Sequence, residues 1–101
     1  MIEQLFSVRD KIILITGSGQ GLGLSFAKGF AGCGARVVLS DVDQDRLNQA
    51  VKELRDRGGA AEGRVFDVSK PDEVGRAVQD IEEHIGPIHV LINNAGIHRR
   101  A

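Results

Sequence analysis

Four short apolar runs alternate with three amphipathic segments along the chain. The runs span residues 11–15, 36–41, 61–68 and 88–92, and the first, second and fourth are rich in branched aliphatic side chains. A short run that is apolar at successive positions is typical of a strand buried on both faces of a parallel sheet. The pattern therefore predicts four parallel strands, of which the third carries the weakest signal.

The segments between these runs carry apolar residues at the three- and four-residue spacing of helices. The first predicted helix covers about 21–34. The second presents the stripe Leu47, Ala50, Val51 and Leu54, and the third presents Val74, Ala77, Val78, Ile81 and Ile85. Asp43 is predicted to cap the second helix. Ser69 is predicted to cap the third, because Asp72 follows three residues later as in a capping box.

This β-α-β-α-β-α-β alternation predicts an α/β fold with helices on both faces of a parallel sheet. Right-handed crossovers restrict the possible topologies, and the predicted arrangement is Rossmann-type with strand order 3-2-1-4, the first half of a doubly wound fold. No linker, repeat or low-complexity stretch interrupts residues 1–101, so they are predicted to form part of a single domain.

Composition and charge narrow the classes of function. The chain has 101 residues and a net charge of -1, so we expect neither a nucleic-acid partner nor an anionic membrane surface. No apolar run approaches the roughly 20 residues of a membrane span, and the N-terminal ten residues lack the apolar core of a signal peptide. The one cysteine, Cys33, fits a reducing compartment, so a cytoplasmic location is expected, and it is predicted to be a small buried hydrophobe.

Four glycines, Gly17, Gly19, Gly21 and Gly23, lie between the first strand and the first helix. Glycine costs backbone entropy on folding, so such a cluster needs a reason. A helix N-terminus offers free N–H groups and a partial positive charge, and glycines let a pyrophosphate approach it closely. The same cluster also fits close packing of a helix on a strand, or an S-adenosylmethionine site. A P-loop is excluded because no Lys-Ser or Lys-Thr pair follows the last glycine.

Three further signals stand at predicted strand ends. Asp41 follows the second strand at the distance where a carboxylate accepts hydrogen bonds from an adenosine ribose, although it also fits a turn or a cap. Asp67 is placed to meet an adenine amino group, or equally to be a turn carboxylate. The Asn-Asn-Ala-Gly stretch at 93–96 allows a ligand to pass near the backbone and ties strands together, but these residues are also common in turns.

The remaining polar candidates predict no chemistry of their own. His84, His89 and His98 do not have the spacing of a metal site, so no metal is predicted. His84 is expected on a solvated helix end, and His89 is expected to be structural. Arg99 and Arg100 fit either a substrate-facing role or simple exposure.

Taken together and in this order, the motifs resemble the N-terminal part of the short-chain dehydrogenase/reductase family. Residues 16–23, Thr-Gly-Ser-Gly-Gln-Gly-Leu-Gly, match the family pattern T-G-x-x-x-G-x-G. Asp41, the pair Asp67 and Val68, and the stretch 93–96 fall where the family has its ribose, adenine and strand-four motifs. The flanks at 5–17 and 93–100 are also similar to gluconate 5-dehydrogenases, which interconvert gluconate and 5-ketogluconate.

The resemblance implies a nicotinamide cofactor, NAD with NADP possible, and a small-molecule sugar-acid substrate. It implies that the complete protein is a homo-oligomer. The cofactor-binding residues that it implies are Gly17, Ser18, Gln20, Gly21, Leu22, Asp41, Val42, Asp67, Val68, Asn94, Ala95 and Gly96. The family's catalytic Asn, Ser and Tyr-x-x-x-Lys groups lie beyond the fourth strand, and this chain has no tyrosine. No catalytic residue is therefore assigned, and the 101-residue chain is expected to be inactive alone.

Two other interpretations stay open from the sequence. One is a non-catalytic dinucleotide-binding module that regulates a partner. The other is a methyltransferase-like Rossmann domain, which Thr16 and the stretch 93–96 disfavour. Between the two nicotinamide cofactors, NAD is favoured because Asp41 would repel a 2′-phosphate, and because neither Ser18 nor Gln20 offers a cation.

Overall fold

The computed structural model describes residues 7–95 as four strands and three helices. In chain order these are β1 (Ile12–Thr16), α1 (Gly21–Gly32), β2 (Arg36–Asp41), α2 (Gln44–Asp56), β3 (Ala60–Val65), α3 (Pro71–His84) and β4 (Val90–Asn93). Gly96, His98, Arg99 and Arg100 lie outside the described residues. Within the range 7–95, no helix has the length and apolar character that crossing a membrane requires.

The four strands form one parallel sheet in the order β3-β2-β1-β4. This confirms the predicted Rossmann-type topology. Because all strands run the same way, their carboxyl ends meet at one edge of the sheet. There Thr16 pairs with Asn93, and Asp41 pairs with Val65. The segments that follow the strands are therefore brought together at this edge.

Helices cover both faces of the sheet, as the apolar runs predict. Alternate side chains of β1 and β2 point to opposite faces. On one face, α1 and α2 pack on a buried set that includes Ile13, Ile15, Val37 and Leu39. On the other face, the buried set is Ile12, Leu14, Val38, Phe66 and Ile81, the last from α3. The two inner strands are thus buried on both sides, which explains the uninterrupted apolar stretches at 12–15 and 37–39.

The start of α3 corrects one prediction. Ser69 does not cap this helix: Lys70 occupies the N-cap position and Pro71 is the first helical residue. The Ser69 hydroxyl instead donates a hydrogen bond to Asp67 Oδ1 at 2.7 Å. Proline at the first helical position has its φ already set for the helix and needs no hydrogen-bond partner. The Ser69 hydroxyl, which was predicted to cap α3, therefore hydrogen-bonds to the Asp67 carboxylate instead.

The bounds of two strands and the environment of the cysteine also differ from expectation. β3 ends at Val65, before Phe66, and β4 begins at Val90 rather than at residue 88. Ahead of β4, the Ile12 N–H donates to the ring nitrogen Nδ1 of His89 at 2.9 Å, so His89 is structural as expected. Cys33 is exposed and not buried, because it lies in the turn that ends α1, beyond the apolar stripe.

Candidate functional site

A cavity of about 530 Å³ opens at the carboxyl edge of the sheet. Its walls come from the segments that follow all four strands. The lining residues are Gly17, Gln20, Gly21, Ser40, Asp41, Val42, Arg46, Phe66, Asp67, Val68 and Ala95. The fold thus brings most of the residues that the sequence singled out into one place.

Two glycines of the loop after β1 have backbone angles that favour glycine. Gly17 and Gly21 both have φ of 61°, in the left-handed region. A Cβ on Gly17 would lie 3.1 Å from the Cα of Ala95, so this position is also confined by the chain after β4. A Cβ on Gly21 would meet no atom of the described residues outside its own helix within 4 Å. The backbone at Gly21 therefore borders open space in the cavity.

The other two glycines of the loop are explained by packing inside the protein. A Cβ on Gly23 would overlap the carbonyl oxygen of Gly17 and lie 2.7 Å from Asn94 Nδ2. A Cβ on Gly19 would overlap the carboxylate of Asp41. Close packing, one of the open interpretations of the glycine cluster, thus accounts for Gly19 and Gly23, whereas Gly21 remains available to a ligand.

The N-terminus of α1 has unsatisfied positive character beside this open space. Gln20 is at the N-cap position and makes no side-chain capping bond, and the first turn contains no acidic residue. By contrast, the Asp43 carboxylate caps α2 by accepting from the Arg46 N–H at 3.0 Å, as predicted. Free N–H groups and the helix dipole attract anions. Gln20 and Gly21 line the cavity, so the α1 terminus fits a phosphate group.

Asp41 is the most enclosed carboxylate of the site, with 6% of its surface exposed. Its Oδ2 accepts from the Gly19 N–H at 3.1 Å and its Oδ1 accepts from the Asp43 N–H at 3.1 Å. Arg46 adds two donors: Nη2 lies 2.8 Å from Oδ1, and Nε lies 3.4 Å from Oδ2. Burial by itself raises the pKa of Asp41, but these hydrogen bonds and the Arg46 charge hold it below its usual value.

Arg46 was not predicted from the sequence as a residue of the site, and Gly19 was recognised only as part of the glycine cluster. Gly19 matters because only a residue without Cβ leaves room for the Asp41 carboxylate at its N–H. Arg46 lies in the first turn of α2, where the helix dipole disfavours a positive charge. That unfavourable position, five residues after Asp41, is the one signal in the sequence that pointed to a partner.

Asp67 lines the cavity but is also engaged in a turn. Its Oδ1 accepts from both the N–H and the hydroxyl of Ser69, at 2.9 and 2.7 Å. The hydroxyl bond is the main cause that lowers the pKa of Asp67. Its own N–H donates to Glu73 Oε1 at 3.0 Å. The turn interpretation is therefore realised, and the position on the cavity wall keeps a contact with a ligand available.

Ser18 and Asn94 lie behind the cavity wall and are fully buried. The Ser18 hydroxyl donates to the Ile15 carbonyl oxygen at 2.7 Å and accepts from the Ser40 N–H at 3.0 Å. Asn94 Nδ2 donates to the Gly17 carbonyl oxygen at 2.9 Å. These bonds join the glycine loop to the neighbouring strands, so both side chains hold the loop in place.

Two further predicted residues have other positions. Leu22 is 49% exposed and does not line the cavity, and Gly96 lies outside the described residues. His84 is exposed at the end of α3, as expected. Among residues 7–95, no group of three or more His, Cys, Asp or Glu side chains is placed to hold a metal ion.

A family model and two similar proteins point to the same family. The family model described as short chain dehydrogenase matches residues 11–101. The chain is 46% identical over 101 residues to a 2-dehydro-3-deoxy-D-gluconate 5-dehydrogenase of Formosa agariphila, covering 99% of this chain and 38% of that protein. It is 44% identical over 99 residues to the 5-keto-D-gluconate 5-reductase of Escherichia coli, covering 98% of this chain and 39% of that protein. The chain thus spans less than two fifths of the length of these relatives.

Solved structures of similar proteins include complexes with both nicotinamide cofactors. A gluconate 5-dehydrogenase from Burkholderia cenocepacia, in complex with NADP and tartrate, matches with a TM-score of 0.84 and 42% identity. The match covers 97% of this chain and 39% of that one. A short chain dehydrogenase/reductase from Burkholderia phymatum, in complex with NAD, matches with a TM-score of 0.81 and 36% identity, covering 85% and 31%.

Proposed function

The chain belongs to the short-chain dehydrogenase/reductase family, and we propose that it forms the dinucleotide-binding part of an oxidoreductase. The complete enzyme transfers hydride between a nicotinamide cofactor and a sugar acid of the gluconate and 5-ketogluconate type. The residues assigned here bind the cofactor, and the catalytic groups belong to a longer polypeptide that contains this chain. A cytoplasmic location and a homo-oligomeric state are part of the same proposal.

The observation that carries the proposal is the uncapped N-terminus of α1 beside Gly21. Among residues 7–95, no side chain caps this helix end, its first turn holds no acidic residue, and a Cβ at Gly21 would meet nothing within 4 Å. A pyrophosphate would accept hydrogen bonds from the first-turn amides, with Gln20 and Gly21 at its side. Asp41 would then hold the adenosine ribose, and Asp67 and Val68 would border the adenine. All five residues line the same cavity.

For the cofactor, we propose a preference for NAD over NADP. The buried Asp41 carboxylate accepts hydrogen bonds from ribose hydroxyls and repels a 2′-phosphate. The specificity constants of the complete enzyme for the two cofactors, measured for wild type and for Asp41→Ala, test this role. The variant should shift the ratio toward NADP. A wild type that already favours NADP would contradict the role given to Asp41.

The substrate class rests on the relatives, whose names include gluconate and keto-gluconate chemistry. The test is NAD(P)-linked oxidation of gluconate and reduction of 5-ketogluconate by the complete polypeptide. A panel of unrelated alcohols, among them a steroid and a short-chain alcohol, serves as the control. Equal turnover of the panel would remove the sugar-acid assignment and leave the cofactor assignment in place.

A non-catalytic dinucleotide-binding module that regulates a partner is the second candidate, because the cavity residues that support nucleotide binding include no assigned catalytic group. The two candidates differ in one measurement. We expect residues 1–101 alone to show no NADH-linked oxidation of gluconate, and the longer polypeptide to show turnover. Nucleotide binding by the longer polypeptide without any turnover would favour the regulatory module instead.

A further inference from the structure

We infer that Arg46 sets how well the site accepts NADP, by moving between the Asp41 carboxylate and a 2′-phosphate. This inference rests on the proposed function, because it assumes that Asp41 borders the adenosine ribose. It assigns to Arg46 a specificity-determining role that neither the glycine loop nor the ribose carboxylate supplies. Three observations support it: the occupancy of Asp41, the position of Arg46 and the charges around the cavity.

The first observation is that every acceptor position of Asp41 is taken. A carboxylate has about four lone-pair positions. Two are filled by the backbone N–H groups of Gly19 and Asp43, and two are filled by Nη2 and Nε of Arg46. Ribose hydroxyls need acceptors on the same oxygens. Because the backbone donors are fixed by the loops, Arg46 is the donor that has to leave.

The second observation is that Arg46 has room to move. Its side chain is 35% exposed, whereas that of Asp41 is 6% exposed. It extends from the first turn of α2, and its backbone N–H stays bonded to Asp43 whatever the side chain does. Arg46 also lines the cavity. A change of rotamer therefore takes the charge off Asp41 without disturbing the helix.

The third observation is the charge balance of the cavity wall. Among the described residues that line it, Asp41 and Asp67 are acidic and Arg46 alone is basic. With Arg46 paired to Asp41, the wall offers a neutralised carboxylate. With Arg46 released, it offers an anion acceptor for hydroxyls and a guanidinium whose fork of N–H donors matches a phosphate. The Arg46 guanidinium thus offsets part of the repulsion between Asp41 and a 2′-phosphate, so that NADP is accepted although NAD is preferred.

The test compares two nucleotides that differ in the 2′-phosphate, 5′-AMP and adenosine 2′,5′-bisphosphate. Their affinities for the complete polypeptide are measured by calorimetry, independently of activity. Arg46→Met should weaken binding of the bisphosphate by at least about tenfold, the loss expected for one charge-assisted hydrogen bond, and should strengthen binding of 5′-AMP. Arg46→Lys, which keeps the charge and loses the fork, should fall between Arg46→Met and wild type.

Arg57→Met is the matched control, because it removes the same charge from the exposed end of the same helix and does not line the cavity. It should change neither affinity. If Arg46→Met fails to fold by circular dichroism, the Arg46→Lys variant and the side-chain Nε–H resonance of Arg46 in wild type decide the matter. That resonance should shift when either nucleotide binds.

Two outcomes would overturn the inference, and they are distinguishable. If wild type binds both nucleotides and the ratio of affinities is the same in the Arg46 variants, Arg46 has no role and the proposed function stands. If wild type binds neither nucleotide, the proposed dinucleotide site fails, and the role of Arg46 fails with it.

Discussion

Replacing Gly21 by Ala separates the cost of backbone strain from the cost of lost binding. The new Cβ would meet no atom of residues 7–95 outside its own helix within 4 Å, so no clash with them destabilises the fold. The left-handed φ of 61° costs a residue with a Cβ about 1–2 kcal/mol. Because alanine loses less backbone entropy on folding than glycine, the substitution also stabilises the folded state by about 0.5–1 kcal/mol. A net loss of about 1 kcal/mol lowers Tm by about 4–8 °C in a chain of this size.

The same methyl group stands where the pyrophosphate would approach the backbone. We therefore expect Gly21→Ala to weaken binding of NADH at least about tenfold, the equivalent of one lost charge-assisted hydrogen bond, while circular dichroism shows a retained helix content. Titration of NADH fluorescence with the complete polypeptide measures the affinity. The larger substitution Gly21→Val should abolish NADH binding, because a branched side chain fills more of the same space.

Gly29→Ala is the matched control for this experiment. Gly29 lies in the same helix, its added Cβ also meets nothing within 4 Å in the part of the chain that the structure describes, and its φ is not in the left-handed region. It should raise stability by about 0.5–1 kcal/mol and leave NADH affinity unchanged. If Gly21→Ala binds NADH as wild type does, the phosphate does not lie at the α1 terminus. If both variants weaken binding equally, the effect is not local to Gly21.

Further expectations follow from single contacts. Gly23→Ala should unfold the protein or lower Tm strongly in thermal melts, because its Cβ would overlap the Gly17 carbonyl oxygen; a wild-type Tm would contradict this packing. The pKa of Asp41 is lower in the folded protein than its value near 3.8 in the unfolded chain, so the charged carboxylate stabilises the fold. This contribution to the free energy of unfolding is complete above pH 3.8 and is lost as the pH falls through the folded pKa. Urea midpoints should therefore fall on acidification, and fall less in Asp41→Asn. Cys33 should react fully with a thiol reagent in native buffer, and slow reaction would show that it is covered. Residues 1–101 alone should self-associate in light scattering, because β4 exposes Leu91 at a sheet edge in the described chain.

The sequence by itself determined the architecture of this protein. Residues 12–15 and 37–39 are apolar at every position, which is typical of strands buried on both faces, so the parallel sheet and its flanking helices were predictable. The glycines and Asp41 were also readable, because each stands where an element ends. Such signals are local: they depend on the period of burial and on the backbone angles of a few neighbouring residues.

The tertiary structure decided which side chains meet across the chain. Asn94 donates a hydrogen bond to the carbonyl oxygen of Gly17, 77 positions away. It is buried behind the cavity wall, although the Asn-Asn-Ala-Gly stretch predicted that it would contact the cofactor. Ser69 turns to Asp67 and leaves the start of α3 to Pro71. Arg46 forms an ion pair with Asp41 because β2 ends beside the first turn of α2. The Asn94 contact exists only once β1 and β4 are paired. The contacts of Ser69 and Arg46 are local, but each is a choice among several nearby partners that the backbone geometry decides.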